Sequence, residues 1–378
     1  MSFWIRCCLL LLSFSKLGEL SDWENKDDSS RKIAIIGEGV IGLSTALAIK
    51  EQEPNAKITI FHDVPFNQTL SKGIAGLFRI DRATAIRRLY GNETFVRLAE
   101  LWRTHGGFSG VQLLSGHILS DDPYLLLEQE KAYSDIVYNF HFLNGRELES
   151  QFVLYDKNKT FGIHYTAFTS EGAKYCPWMK KQLLDRGVQF VQRRIESLDE
   201  LGNEGFPIVV NCAGLDAGRL AGDDSVYPIR GILLKVEAPW QKHFLMRDFV
   251  TFTIPTIDAV YVGTVKEDRK NSKEITQEEK DNLFRRYLEL QPSFKDVKIV
   301  GDFVGLRPGR SDVRVETESR TTKNGTTYKV VHNYGHGGSG FTIGWGTALH
   351  ASALVLDLPV HRYKKANADL TWESYFTS

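Results

Sequence analysis

The 378 residues carry 47 basic and 47 acidic side chains and are 42% hydrophobic. That balance excludes a chain built as a polycation for nucleic acid or for an anionic membrane face, and the hydrophobic share describes a folded globular protein. The length is enough for two or three domains of ordinary size around a large core.

The chain opens Met1-Ser2-Phe3-Trp4-Ile5-Arg6 and continues Cys7-Cys8-Leu9-Leu10-Leu11-Leu12. One basic residue before a short apolar run, with the small residues Ser13 and Ser15 behind it, has the form of a secretory leader over residues 1–15. The run is too short to span a bilayer, so no membrane span is expected once the leader is removed. A polar linker, 16–31, separates it from the first strand. The competing reading is an irregular apolar extension packed on the domain. Four Asn-x-Ser/Thr tripeptides, at Asn67, Asn92, Asn158 and Asn324, agree with export and a secreted glycoprotein, although each alone arises by chance. Cys176 and Cys212 would remain after cleavage, and a core of this size needs no disulfide.

Lys32-Ile33-Ala34-Ile35-Ile36 reads as a buried parallel strand. Gly37-Glu38-Gly39-Val40-Ile41-Gly42 follows and opens an apolar helix, Val40 to Glu51; Lys57 to Phe61 is the next strand. Asp63 stands just past that strand, about twenty residues beyond the last glycine, where a carboxylate can take ribose hydroxyls. Glycines by themselves serve any tight turn. Strand, turn, helix, strand and acid in this order make a dinucleotide fingerprint, with the pyrophosphate against the helix N-terminus.

Helical spacing continues over Arg82 to His105, Tyr124 to Tyr138 and Ala173 to Arg186, the last leading to a strand at Val188 to Gln192. A strand from Pro207 to Asn211 runs into the turn Cys212-Ala213-Gly214-Leu215, where Cys212 on its own reads as a small core hydrophobe. From Gly231 to about Val265 alternating β-branched and aromatic residues predict an antiparallel sheet inserted between nucleotide-binding elements. A helix, Gln277 to Leu290, and strands Lys298 to Leu306 and Lys329 to Asn333 come next. Tyr334-Gly335-His336-Gly337-Gly338-Ser339-Gly340-Phe341-Thr342 is then a second glycine-rich turn before a helix, Ile343 to Asp357. Its N–H groups suit a group that gains negative charge during reaction, such as the pyrimidine edge of a reduced flavin. Two anion-binding turns point to redox chemistry on a flavin dinucleotide.

Four separated stretches in this order, GEGVIGLSTALAI, NCAGLDAG, the turn Gly305-Leu306-Arg307-Pro308-Gly309-Arg310 and HNYGHGGSGFTIGWGTAL, resemble the D-amino acid oxidases, most closely their D-aspartate oxidase branch. The similarity runs from about Lys32 to Leu358. It implies an α/β fold in which a Rossmann-like FAD-binding domain (about 32–80, 173–220 and 298–358) interleaves with a substrate domain on a mixed or antiparallel sheet (about 81–172 and 221–297), before a tail at 359–378. It also implies non-covalent FAD, hydride transfer from a D-amino acid to flavin N5, reoxidation by oxygen to hydrogen peroxide, and hydrolysis of the imino acid to a 2-oxo acid and ammonia. The matching positions put Gly37, Gly39, Val40, Ile41 and Gly42 at the pyrophosphate and Asp63 at the adenosine ribose. Thr69, Ser71, Ala75, Gly76 and Leu77 match the loop along the phosphates and flavin. Ile195 matches an adenine contact, Cys212-Ala213-Gly214 a flavin-side turn, and Gly337, Gly338, Ser339, Gly340, Phe341 and Thr342 the segment on the flavin pyrimidine, where Gly338 and Ser339 also border substrate.

Arg307 is the expected partner of the substrate α-carboxylate, since a planar guanidinium grips a carboxylate two-fold. Arg247 matches an arginine that holds the side-chain carboxylate in the acidic-substrate branch, with spacing shifted by a residue or two. Phe252 stands where the family usually has a tyrosine, and one missing hydrogen bond to a charged group is worth roughly 1.5–3 kcal/mol. No catalytic base is implied: His336 reads as a hydrogen-bonded structural residue, and orientation and electrostatics carry the reaction. D-Aspartate, D-glutamate and N-methyl-D-aspartate stay open as substrates, as do a neutral D-amino acid oxidase and an inactive flavin-binding protein. The C-terminus, Tyr375-Phe376-Thr377-Ser378, carries no peroxisomal address. No oligomeric state follows from the sequence.

Overall fold

The computed structural model describes residues 30–153 and 159–368. The expected leader, most of the linker, Asn158 and the end of the tail lie outside the described residues. The chain starts with β1 (Lys32–Ile36), α1 (Val40–Gln52) and β2 (Lys57–His62), so the βαβ unit forms where alternation of apolar runs and glycines placed it. Next come α2 (Ala85–His105), β3 (Val111–Ser120), α3 (Pro123–Tyr133), β4 (Tyr138–Phe142), α4 (Gly145–Gln151) and β5 (Phe161–Ser170). Then follow α5 (Gly172–Leu184), β6 (Gln189–Gln192), α6 (Leu198–Asn203), β7 (Ile208–Asn211) and α7 (Asp216–Ala221). The middle of the chain is β8 (Tyr227–Glu237), β9 (Phe244–Arg247), β10 (Thr251–Pro255), β11 (Val260–Gly263) and β12 (Glu267–Asp268). It closes with α8 (Gln277–Leu290), β13 (Lys298–Gly309), β14 (Arg314–Thr321), β15 (Thr327–Tyr334), α9 (Gly340–Val355) and α10 (His361–Ala368).

A six-stranded sheet has the order β14-β15-β7-β1-β2-β6 and is parallel apart from the β14–β15 pair. A nine-stranded mixed sheet has the order β12-β8-β11-β10-β9-β3-β5-β4, with β13 added beside β8. The chain enters and leaves each sheet more than once, which is the interleaving expected of an α/β protein with two lobes. Segment 298–309, expected among the FAD-binding parts, instead runs antiparallel to β8 along its whole length and belongs to the larger sheet. Helix α3 stops at Tyr133, short of the expected Tyr138, because Tyr138-Asn139-Phe140-His141-Phe142 supplies an aromatic alternation that pairs with β5. The polar strand β14 had no apolar period to reveal it; it is an edge strand, where charged residues are the rule.

Helix α9 packs against both α1 and α2, and glycines set how close it comes. A Cβ on Gly346 would lie 2.4 Å from the Tyr90 backbone, and one on Gly344 3.0 Å from Ile41 Cδ1. The crossing brings Gly340 beside Val40 and Ile41, so the two glycine-rich turns meet although almost the whole chain separates them.

Several histidines are enclosed without a charge partner strong enough to keep them protonated. His117 and His164 are cross-strand neighbours with ring nitrogens 3.1 Å apart. Burial, then the neighbouring His164, His243 and His141, pushes His117 down to about 4. Burial also takes His332 and His350 down to about 4, with Arg314 and Arg362 adding to it respectively. An unfolded histidine titrates near 6.5, so below that pH the unfolded chain binds protons that the fold refuses until about 4. The histidines' contribution to stability is therefore present above pH 6.5 and lost as pH falls towards 4. The melting temperature should drop steadily between about pH 6.5 and about pH 4.5; a level profile over that window contradicts the assignment of neutral buried imidazoles.

Candidate functional site

A cavity of about 400 Å³ opens between the two sheets. One wall is the first glycine turn, Gly37 to Ile41, with His62, Asp63 and Val64 from the end of β2. Cys212, Ala213 and Gly214 form a second wall, and Gly335 to Gly338 with Gly340 and Phe341 a third. Residues Gln68 to Ser71, and β13 from Phe303 to Pro308, complete it.

The first turn is a cradle that side chains would fill. Gly37 has φ +114, a region that L side chains rarely adopt, and a Cβ there would meet the Cys212 carbonyl oxygen at 2.4 Å. A Cβ on Gly42 would fall 1.9 Å from Gly37 O, so Gly42 lies behind the turn and holds its shape without lining the cavity. Gly39 caps α1 with no side-chain cap and no acidic residue in the first turn. The N-terminus thus keeps its positive end for a ligand phosphate, while Ser71 Oγ takes the Val40 N–H at 3.0 Å. Glu38 is an acid in this anion-binding turn, yet its carboxylate is 1% exposed and faces Lys180 Nζ at 2.6 Å and His62 Nε2 at 3.3 Å. The Lys180 ammonium offsets the repulsion that Glu38 would direct at a pyrophosphate.

The second turn opens α9 in the same way, with no acidic residue in its first turn and no side-chain cap from Ser339. Its Gly337 has φ +55. His336, inside the turn, is buried and lies 2.9 Å from Thr347 Oγ1. Because that hydroxyl gives its proton to Gly344 O, the imidazole Nε2 is the donor. Burial and then Arg87 push His336 down to about 3, so it stays neutral and fills a structural role.

Arg307 reaches the cavity from β13 across the bare backbone of Gly231 on β8, where a Cβ would sit 2.2 Å from Nη2. Burial pushes the guanidinium below its ordinary range. No carboxylate among the described residues pairs with it, and its Nη1 is buried without a hydrogen-bond partner, an arrangement that calls for an anion from outside.

Other expected site residues stand elsewhere. Gly76, at φ +68, packs against Ser170 and Leu77 bridges Thr169, so Ala75, Gly76 and Leu77 tie this loop to β5 and do not line the cavity. Ile195 belongs to the core cluster with Phe61 and Phe206. Ser339 and Thr342 shape the start of α9, with Thr342 Oγ1 accepting the Arg79 N–H at 3.4 Å. Phe252 is half-buried, its ring over Gly263. Arg247 does not line the cavity: its Nη2 donates to both Asp121 carboxylate oxygens at 2.8 Å, a partner that sequence spacing could not reveal. Gly231, Thr264 and Phe303 were missed as site residues, and only Gly231, a glycine inside a strand, carried a local signal.

The FAD dependent oxidoreductase family (DAO) matches residues 32–354. The chain is 52% identical over 327 residues to D-aspartate oxidase 1 of Caenorhabditis elegans, covering 86% of this chain and 96% of that protein. It is 35% identical over 340 residues to the D-aspartate oxidase of Homo sapiens, covering 86% and 94%. In three dimensions it is similar to a glycine oxidase from Bacillus cereus, with a TM-score of 0.71 at 17% identity over 90% of this chain and 99% of that one, a likeness of fold.

Replacing Gly42 with alanine should force the turn apart and leave a protein without bound flavin. The visible absorption of purified Gly42→Ala should be almost absent while its far-ultraviolet spectrum stays folded; a full flavin complement in that variant contradicts the role given to the turn.

Proposed function

The chain belongs to the FAD-dependent oxidoreductase family, and we propose that it oxidises acidic D-amino acids, D-aspartate first, to the 2-oxo acid, ammonia and hydrogen peroxide. The observation that carries this reading is Arg307, a buried guanidinium with an unpartnered Nη1 facing a cavity lined by two anion-binding turns. FAD, when bound, supplies the two-electron acceptor and the route of those electrons to oxygen. The residues at the first turn, Ser71 and Cys212 to Gly214 would hold its dinucleotide part, and Gly337 to Phe341 would hold its ring.

Everything else is orientation by the protein. Arg307 takes the α-carboxylate through paired N–H groups and so fixes which face of Cα is presented. His336 stays neutral and moves no proton. The ring of Phe303 and the enclosing strands, which line the cavity with Arg307, keep water from the carboxylate and strengthen its attraction to the guanidinium.

The acidic preference is assigned to Arg247, which the free protein holds on Asp121. That role requires Arg247 to leave Asp121, which Thr160 Oγ1 also holds at 2.9 Å, and to turn into the cavity that it does not line in the free protein. Should the Arg247–Asp121 pair persist in the complex, the protein is a neutral D-amino acid oxidase, and this pair is the observation that favours that second reading. Peroxide release from D-aspartate, D-alanine and L-aspartate separates these outcomes. D-Aspartate should lead and L-aspartate should be inert. Arg307→Ala should retain FAD and lose turnover with every substrate, whereas Arg247→Ala should lower kcat/KM for D-aspartate by roughly thirty-fold or more and spare D-alanine. Equal losses for both substrates in Arg247→Ala remove it from specificity.

Export completes the proposal. Asn67, Asn92 and Asn324 are exposed, as glycan acceptors must be, and Cys176 and Cys212 are buried free thiols. Among the described residues no helix is long and apolar enough to cross a membrane. Expression in secreting cells should yield medium-borne protein that shifts on deglycosylation and lacks Met1; retention in the cell with an unshifted band speaks against it.

A further inference from the structure

Arg307 needs more than a place in the cavity: a guanidinium that rotates about its last bonds offers a carboxylate no fixed pair of donors. Two features hold it. Gly231 leaves the β8 backbone bare beneath both Nη atoms, where a Cβ would sit 2.2 and 2.3 Å from them. Gly338, from the second glycine turn, borders its stem, with a hypothetical Cβ 3.7 Å from Cδ. Neither sets the rotation of the plane. The one side-chain hydrogen bond to the guanidinium among the described residues does so, from Nη2 to Thr264 Oγ1 at 3.4 Å.

Thr264 is itself fixed at three points. Its N–H donates to Val250 O at 2.7 Å, its carbonyl accepts from Arg286 Nη2 at 3.1 Å, and its hydroxyl donates to Val265 O at 3.0 Å. The side chain belongs to a residue only 5% exposed. A hydroxyl has one proton, and here it is committed to Val265, so towards Arg307 the oxygen can only accept. That direction matters: Thr264 uses one Nη2 hydrogen, and the Nη1 group is left free for the ligand.

We propose that Thr264 is a positioning residue that locks the plane of the Arg307 guanidinium, so that Nη1 and the remaining N–H groups form a ready fork for the substrate α-carboxylate. The proposal rests on Arg307 as the α-carboxylate site. It assigns Thr264 an effect shared by acidic and neutral substrates, because the locked group meets the part common to all of them. Orienting the fork in advance removes ordering that would otherwise accompany binding.

The test compares Thr264→Val, which keeps the shape and loses the acceptor, with Thr264→Ser, which keeps it, both as FAD-loaded enzyme. Thr264→Val should raise KM for D-aspartate and D-alanine by the same factor, about ten-fold, with a much smaller change in kcat. Thr264→Ser should return to near wild-type values. A second readout needs no turnover: titration with propanoate, followed by the change in flavin absorption, should show the same loss of affinity in the valine variant. FAD affinity should match the wild type in both, and the melting temperature in the serine variant, while the valine variant, which also leaves Val265 O without its donor, should melt somewhat lower. Unchanged KM and propanoate affinity in Thr264→Val, or a serine variant as impaired as the valine one, overturns the proposal; so does a loss seen only in FAD binding or melting. If the wild type oxidises no D-amino acid, the functional reading fails, and the propanoate titration still decides whether Thr264 orients Arg307.

Discussion

The close approach of neighbouring chain at Gly37, Gly42, Gly344 and Gly346 is the constraint on which the rest of the molecule depends. At each position an added Cβ would meet another part of the chain at 3.0 Å or less, most often backbone that cannot swing aside. Gly37 and Gly42 let the turn after β1 fold tightly against Cys212, and Gly344 and Gly346 let α9 settle on α1 and α2. The outcome is a pair of helix N-termini aimed into one cavity. Neither helix has an acidic residue in its first turn or a cap from its own N-cap side chain, so the positive ends remain for an anion, and affinity for an anionic dinucleotide is built into the packing.

Charge is handled in two opposite ways around that cavity. Glu38 is buried and paired with Lys180, so an acid within a phosphate-binding turn does little electrostatic harm. Arg307 is buried and left without an acid. A buried cation without a counter-ion is unfavourable in the free protein, and the carboxylate that relieves it gains a correspondingly strong interaction. Arg247 lies outside the cavity on half-exposed Asp121, a pair of the kind that solvent screens.

The two sheets divide the labour. The parallel sheet delivers the ends of β1, β2 and β7 to the dinucleotide side of the cavity, where strand ends and helix starts carry the donors. The mixed sheet delivers β13 and the end of β11, and with them Arg307 and Thr264. Placing β13 in the mixed sheet, beside β8, is what lets a glycine on one strand make room for an arginine on the next.

The sequence by itself determined the βαβ unit, the central antiparallel run and both glycine turns, because each is a local pattern: a period of apolar residues, or glycines at a fixed spacing before a helix. It also marked Arg307, through a turn motif. It could not separate the residues that touch the cavity from those behind it, such as Gly42, Ile195 and Gly76, since that depends on which face of an element is covered by another. The polar strand β14 was hidden because an exposed edge strand shows no apolar alternation, and β4 because its aromatic alternation, Tyr138, Phe140 and Phe142, follows directly on a stretch of helical spacing. Only the tertiary structure decided that Arg247 meets Asp121 and that Gly231 and Thr264 hold Arg307. Those contacts join residues some forty to over one hundred and twenty positions apart. They follow from strand register and helix crossing, and no local period records either one.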